Sequence, residues 1–172
     1  ARLMLAATAV WIVSSLIWTF WPFSWLEVGN SAEQVTIDFL NGDLSLIAVQ
    51  IEHDGSAGGE IKVSEYWRAN AELYGTYAHA LKLFDPATNE LIVQANIGMQ
   101  PRIPPTEGWI PGLIYKKEAF VPLDGVAPGD YVLALQAWIE PQAVETLPIT
   151  NTDHQIVQPD TVVLGEITIR SG

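Results

Sequence analysis

The chain is predicted to be an all-β protein, an antiparallel β-sandwich that follows one N-terminal transmembrane helix. Three observations predict this fold class. Apolar and polar residues alternate over most of the chain after residue 33, turn-forming residues separate those runs, and the first 25 residues are strongly apolar. The length of 172 residues suits one domain with a real core, and is short for two.

The N-terminal segment from Leu3 to Trp25 holds 23 residues without a charge. As a helix it would rise about 34 Å at roughly 1.5 Å per residue, enough to cross a hydrocarbon core of about 30 Å. Four tryptophans lie in it, most of them near its end, as in an interfacial aromatic belt: Trp11, Trp18, Trp21 and Trp25. Residues 1–25 are therefore predicted to span the membrane, with these tryptophans as the membrane anchor.

Two other interpretations of this segment are a cleavable signal peptide and a buried soluble helix. A cleavable signal peptide needs a small-residue cleavage site, whereas residues 21–30 read WPFSWLEVGN and are bulky. A buried soluble helix would have to hold 23 uncharged residues and four tryptophans in a small core. The sequence therefore favours a spanning helix over both of these interpretations.

The charges around the span predict its orientation. Arg2 is the only basic residue before it, and Glu27 and Glu33 follow it. The positive-inside rule then places the N-terminus in the cytoplasm. The expected location is the bacterial cytoplasmic membrane, with one pass and a periplasmic or extracellular C-terminal domain. The chain begins at Ala1, so either an initiator Met was removed or the chain is the end of a longer polytopic protein.

After a short polar linker at 26–32, residues 33–172 are predicted to form the extracytoplasmic β-sandwich. Alternation is clearest in 61–68, 77–83, 131–139 and 166–170. Asn41-Gly42 is typical of a type I′ hairpin and should join strands near 34–40 and 43–52. The turn at 85–89 should join strands near 75–84 and 90–96. Seven to nine strands and no helix are expected, in an immunoglobulin-like or jelly-roll layout.

Two long segments are expected to lack regular strands. Ile97 to Gly112 holds four prolines, which remove ladder donors and exclude a central strand. Such a loop is often a binding element, and Met99, Arg102 and Trp109 are its candidate interaction residues. The alternative is that Trp109 packs down and closes one end of the sandwich. Residues 141–159 are polar and are expected to be irregular.

The composition excludes several kinds of chemistry. A net charge of −12 disfavours nucleic acid, and the absence of cysteine excludes disulfides, thiolate metal sites and a cysteine nucleophile. Glu52-His53-Asp54 and Asp153-His154 are local clusters of possible metal ligands, but neither has a recognised metal-binding spacing, and His79 is expected to be a core or rim residue. No catalytic, cofactor-binding or metal site is predicted, although a pair of acidic side chains acting on glycosides stays open.

Several short motifs carry a resemblance to a known type of domain. They are Gly42-Asp43-Leu44, Tyr66-Trp67-Arg68-Ala69, Asp85-Pro86, Trp109-Ile110-Pro111-Gly112 and Pro128-Gly129-Asp130-Tyr131. Their order resembles the extracytoplasmic C-terminal β-sandwich of polytopic glycosyltransferase-like membrane proteins, of the kind found in Chloroflexota, over roughly residues 40–140. That pattern has a His near the place of Lys82, whereas this chain has His79. The resemblance implies a β-sandwich and no catalytic residue, because catalysis in such proteins belongs to the membrane portion.

The architecture predicts a non-catalytic, single-span accessory subunit of a larger membrane complex. Its helix and sandwich would contact other membrane subunits and the bilayer, and a respiratory or photosynthetic electron-transfer complex is the expected host. The alternative is a carbohydrate- or envelope-binding module, or the C-terminal domain of a glycosyltransferase-like membrane protein. That alternative predicts exposed aromatic residues on a concave face or loop, with Trp109, Tyr115 and Trp138 as candidates.

Overall fold

A computed structural model describes residues 31–98, 103–140 and 145–171 of the chain. This part is an antiparallel β-sandwich of two five-stranded sheets. Its strands are β1 (Glu33–Phe39), β2 (Leu44–Glu52), β3 (Glu60–Ala69), β4 (Tyr77–Phe84), β5 (Leu91–Ile97), β6 (Ile114–Pro122), β7 (Gly129–Ile139), β8 (Ile149–Thr152), β9 (Ile156–Gln158) and β10 (Thr161–Ile169). The first sheet has the order β6-β3-β2-β1-β8, and the second has the order β5-β4-β7-β10-β9.

The predicted all-β sandwich is confirmed, with corrections to its strand count. The described residues form ten strands instead of seven to nine. Part of the excess comes from β8 and β9, which lie in the polar segment expected to be irregular. They are only four and three residues long, so each gives too short an alternation to be recognised in the sequence.

The predicted membrane helix of residues 1–25 lies outside the described residues, together with its four tryptophans. Within 31–98, 103–140 and 145–171, no helix is long and apolar enough to cross a bilayer. The spanning helix therefore stays a prediction.

The turn between β1 and β2 is longer than the two-residue hairpin that Asn41-Gly42 predicts. Phe39 pairs with Leu44, so four residues connect the strands. Asn41 and Gly42 do adopt the expected positive φ, at 57° and 94°, but Leu40 also lies in the left-handed region at 54°. A leucine pays a steric cost there, and its partial packing against the core offsets it.

The Pro-rich segment closes one end of the sandwich. Its described part, 103–112, holds only a single 3-10 turn, as expected from its prolines. Trp109 is 4% exposed and stacks on Tyr115 with 4.3 Å between ring centroids. Its indole N–H donates to the Pro104 carbonyl at 2.9 Å, and Thr106 Oγ1 donates to the Gly75 carbonyl. The loop is thereby attached to the segment that leads into β4.

A buried polar cluster lies between the two sheets. Glu65 on β3 points inward and is fully buried. Its carboxylate accepts a hydrogen bond from the Trp67 indole N–H at 2.9 Å, and its Oε2 lies 2.8 Å from Nε2 of His79 on the opposite sheet. Lys117 on β6 is paired directly with Glu65 in the strand register and is also buried. Carboxylate, imidazole, indole and ammonium are therefore all buried in this part of the core.

Burial governs the protonation of Lys117. Removal from water lowers the pKa of its ammonium group, and the carboxylates of Glu65 and Glu140 act in the opposite direction and partly restore it. The ammonium also lies 5.6 Å from the centroid of the Trp109 ring, within the range of a cation–π contact.

Replacing Trp67 tests the core. Trp67→Ala removes a ring that is 3% exposed and packs beside Phe39, so the free energy of unfolding should fall by about 3–5 kcal/mol. Urea unfolding followed by far-UV circular dichroism measures this loss. Tyr74→Ala is the matched control, because Tyr74 is 87% exposed and its removal should change stability by less than about 0.5 kcal/mol. If the two substitutions lower the free energy of unfolding equally, the strand register that places Trp67 in the core would be contradicted.

Replacing Lys117 tests the charge in the core. Because the folded chain holds the Lys117 proton less tightly than the unfolded chain, the wild-type free energy of unfolding should rise with pH toward the ordinary lysine value of 10.5. Lys117→Met has no ammonium group at this position, so wild type should gain stability relative to the variant as the pH rises toward 10.5. Urea unfolding at several pH values checks this, and a constant difference would contradict it.

Candidate functional site

The outer face of the second sheet has a floor of small residues. On β4 and β7 the inward positions fill the core, and the alternate positions face outward: Ala78, Ala80, Lys82 and Phe84 on β4, and Val132, Ala134, Gln136 and Trp138 on β7. Ala78, Ala80 and Ala134 are buried although they lie outside the core cluster. Because a methyl group projects little, these alanines leave room for the larger side chains beside them.

The strand register brings the larger outward side chains together. Lys82 is directly opposite Gln94 of β5, and Ala80 is opposite both Asn96 of β5 and Gln136 of β7. Trp138 is opposite Ala78 one row further along. Directly paired residues have Cβ atoms about 4.5–5.5 Å apart on the same face. We call this set the outer platform: Lys82, Gln94, Asn96, Gln136 and Trp138.

Hydrogen bonds order the polar side chains of the outer platform. Lys82 Nζ donates to Gln136 Oε1 at 2.6 Å, and Gln94 Nε2 donates to Asn96 Oδ1 at 2.7 Å. The Lys82 side chain is only 8% exposed, and burial lowers the pKa of its ammonium group. With Lys82 held against Gln136 in this way, its ammonium has a defined position on the sheet. The Gln136 amide nitrogen keeps its own donor capacity.

A groove continues the outer platform at the end where β4 stops. It has a volume of about 360 Å³, and its apolar lining includes Phe84, Val132 and Ile156. Asn89, Gln155 and Glu166 supply polar groups around it. Phe84 and Val132 are the next outward residues after Lys82 and Ala134 on their strands, so groove and platform form one continuous surface. Its size lies in the range of small-molecule sites.

A second groove lies on the outer face of the first sheet. It has a volume of about 540 Å³, and its lining includes Asp38, Ser45, Arg68, Asp153 and His154. Ser45 donates to the Asp38 carboxylate at 2.6 Å, as does Asn151 at 3.0 Å. The lining of this groove includes no tryptophan, tyrosine or phenylalanine. It therefore offers an Asp38 carboxylate already engaged by its neighbours, and the His154 imidazole is its one ring.

The aromatic candidates from the sequence separate into two groups. Trp109 and Tyr115 are buried against each other, so neither ring is free to stack on a ligand. Trp138 is partly exposed on the outer platform. Met99 and Arg102 lie outside the described residues, and the interaction loop to which they belong stays a prediction.

The histidines and acidic clusters do not converge. His79 is buried against Glu65, whereas Asp153 and His154 line the groove of the first sheet. Asp54 accepts hydrogen bonds from the Ser56 hydroxyl and backbone N–H, which lower the pKa of its carboxyl. In the part of the chain that the structure describes, no group of three or more His, Asp or Glu residues is placed to hold a metal ion.

Sequence reasoning did not single out the amides of the outer platform. Gln94, Asn96 and Gln136 each show only the polar half of an ordinary alternation. What brings them together is the strand order β5-β4-β7, which a single sequence does not reveal. One signal in the sequence could have indicated this surface. Small residues recur on one face of β4 and β7, and a face of small residues leaves space that another molecule can approach.

Comparisons with known proteins add little to this geometry. No protein family and no curated protein matches the chain. Among solved structures, the crystal structure of the C-terminal domain of wzt is similar, with 12% identity and a TM-score of 0.49. The match covers 83% of this chain and 89% of that one. A likeness at this level says nothing about what the chain binds, and the glycosyltransferase-like resemblance stays a prediction.

Proposed function

We propose that this domain is a non-catalytic carbohydrate-binding module that holds a glycan across the outer platform. The observation that carries the proposal is the composition of one face. Three neighbouring strands, β5, β4 and β7, place amides, one cation and a partly exposed tryptophan there on a floor of alanines.

Each group on the outer platform suits a part of a sugar. An indole ring packs against the apolar C–H face of a pyranose and offers a large contact area at low conformational cost. Side-chain amides donate and accept at once, as neighbouring hydroxyl groups require. The Lys82–Gln136 and Gln94–Asn96 hydrogen bonds hold these groups in place before a ligand arrives, which reduces the entropy lost on binding.

The charge distribution supports a neutral or acidic glycan. The chain has 20 acidic residues. None occupies the outward positions 78, 80, 82, 84, 92, 94, 96, 132, 134, 136 or 138. The nearest carboxylates lie at the margins of this surface: Asp160, which accepts a hydrogen bond from Thr146 beside Trp138, and Glu166 at the far groove. The net charge of the whole chain therefore does not describe this face.

Removing the tryptophan tests the proposed glycan site. Trp138→Ala should weaken glycan binding by about tenfold or more, because a stacked aromatic anchor typically contributes more than about 1 kcal/mol. The measurement is a screen of purified bacterial envelope polysaccharides by affinity electrophoresis, followed by titration calorimetry on each hit. Tyr74→Ala is the control, because Tyr74 is an exposed aromatic residue that is not part of the outer platform. Undiminished binding by Trp138→Ala, or no binding to any polysaccharide, would contradict the proposal.

A second candidate function is that of a single-span accessory subunit in a membrane complex. The uncharged stretch from Leu3 to Trp25 favours it. In this function the stretch anchors the chain in a bacterial membrane beside other subunits, and the sandwich covers the extracytoplasmic face. A respiratory or photosynthetic complex is the kind of host proposed. The resemblance to the extracytoplasmic domains of glycosyltransferase-like membrane proteins also fits a membrane-attached sandwich.

Membrane extraction tests this second function. After mild detergent extraction of native membranes and size separation, an accessory subunit should migrate with a larger complex at a constant stoichiometry. Mass spectrometry of the co-migrating chains would identify the host. Recovery of the chain in the aqueous fraction, or its migration alone, would contradict the accessory-subunit function.

A further inference from the structure

The free edge of the second sheet at β5 has no charge and no proline, although β6 of the first sheet lies beside it. β5 pairs with β4 on one side only, so the backbone groups on its other side have no strand partner in the described structure. Its seven residues, LIVQANI, contain no charge and no proline. Leu91 and Ile92 are 42% and 37% exposed. A strand of this length and composition is a template on which another strand can pair.

The other edges of the described sheets are protected. β6 carries Lys116, Lys117 and Glu118 and ends at Pro122, and charges and proline on an edge oppose further pairing. β8 and β9 are four and three residues long, too short for a stable ladder. Only β5, among the edges that the structure describes, combines length with neutrality.

We infer that two copies of this chain associate through antiparallel pairing of their β5 strands. A two-fold axis perpendicular to the sheet keeps each copy's outer face on the same side. All seven residues of β5 then pair only if the axis passes by the middle residue, Gln94. In that register Gln94 is opposite Gln94 of the second copy, Val93 is opposite Ala95, and Ile92 is opposite Asn96.

The side chains in this register suit a second copy better than an unrelated strand. Val93, Ala95 and Ile97 lie on the inward side and pack against the core, so pairing would extend two apolar rows toward each other. On the outward side, Gln94 meets its own equivalent, and an amide can donate and accept with another amide. Within the two paired β5 strands no carboxylate faces another, which matters when each copy has a net charge of −12.

Association of this kind has a predictable salt dependence. Two bodies of net charge −12 repel each other at low ionic strength, whereas the neutral β5 strands contribute no ion pair that salt would screen. Added salt should therefore strengthen the dimer. An interface built on salt bridges would weaken.

The dimer would also lengthen the proposed glycan site. Gln94 belongs to the outer platform and lies at the edge, so pairing joins two outer platforms into one surface across a ten-stranded sheet. This consequence depends on the proposed function. The association itself does not, because it is measured without any sugar.

Single cysteines test the register, since the chain has no native cysteine. In the full chain, kept in excess mild detergent, Gln94→Cys should form a disulfide-linked dimer on mild oxidation because the two Cβ atoms face each other. Ile92→Cys should form at least about tenfold less, because its two copies lie about 13 Å apart along the strand at roughly 3.3 Å per residue. Ile92→Cys combined with Asn96→Cys should restore the crosslink.

Further measurements decide the remaining outcomes. Unmodified chain should sediment as a dimer, and Gln94→Lys should shift it to monomer by placing two ammonium groups opposite each other. Gln158→Lys, on the β9 edge, is the matched control and should remain dimeric. The inference is overturned if Gln94→Cys crosslinks no better than Ile92→Cys, if the chain is monomeric at raised salt, or if Gln94→Cys is captured by a different protein.

Discussion

The buried carboxylate of Glu65 sets how the two sheets lie against each other. It is fully enclosed, and an ionised group in that position is stable only if its oxygens are hydrogen-bonded. One partner, the Trp67 indole, is on its own strand, but the other, His79, belongs to the opposite sheet. A lateral shift of one sheet would break the 2.8 Å contact and leave the carboxylate without its partner on the opposite sheet. The contact therefore favours one placement of the sheets over its competitors, a role that buried polar groups have in some other proteins.

That constraint reaches the outer surface through β4. His79 and Lys82 are three residues apart on this strand, so one points into the core and the other points outward. When His79 is held by Glu65, the height of Lys82 on the outer face is determined, and so is its row with Gln94 and Ala134. The polar surface where we propose glycan binding is thus positioned from inside the molecule.

The sequence predicts the single strands well, but it does not predict which strands lie next to each other in a sheet. The alternation around Trp67, around Leu81 and Leu83, and from Tyr131 to Ile139 predicted which side chains enter the core. β6 shows why a pattern can mislead, since inward Lys117 and outward Phe120 reverse the expected polarities. Lys82 and Gln136 both belong to the polar half of their own alternations. Their contact joins residues 54 positions apart in the chain, and no local period carries that information.

The acidic composition of the chain and the absence of carboxylates from β5 and the outer platform are two parts of one arrangement. Negative charge over most of the molecule makes copies repel each other and limits unspecific contact. Surfaces without carboxylates are therefore the ones on which association meets the least electrostatic repulsion. Both such surfaces meet at β5, whose outward amides belong to the outer platform and whose free edge is uncharged. A substitution at Gln94 should therefore affect pairing and the glycan-binding surface together, whereas Trp138, two strands away, belongs to the outer platform alone. The difference between these two positions separates ligand recognition from association.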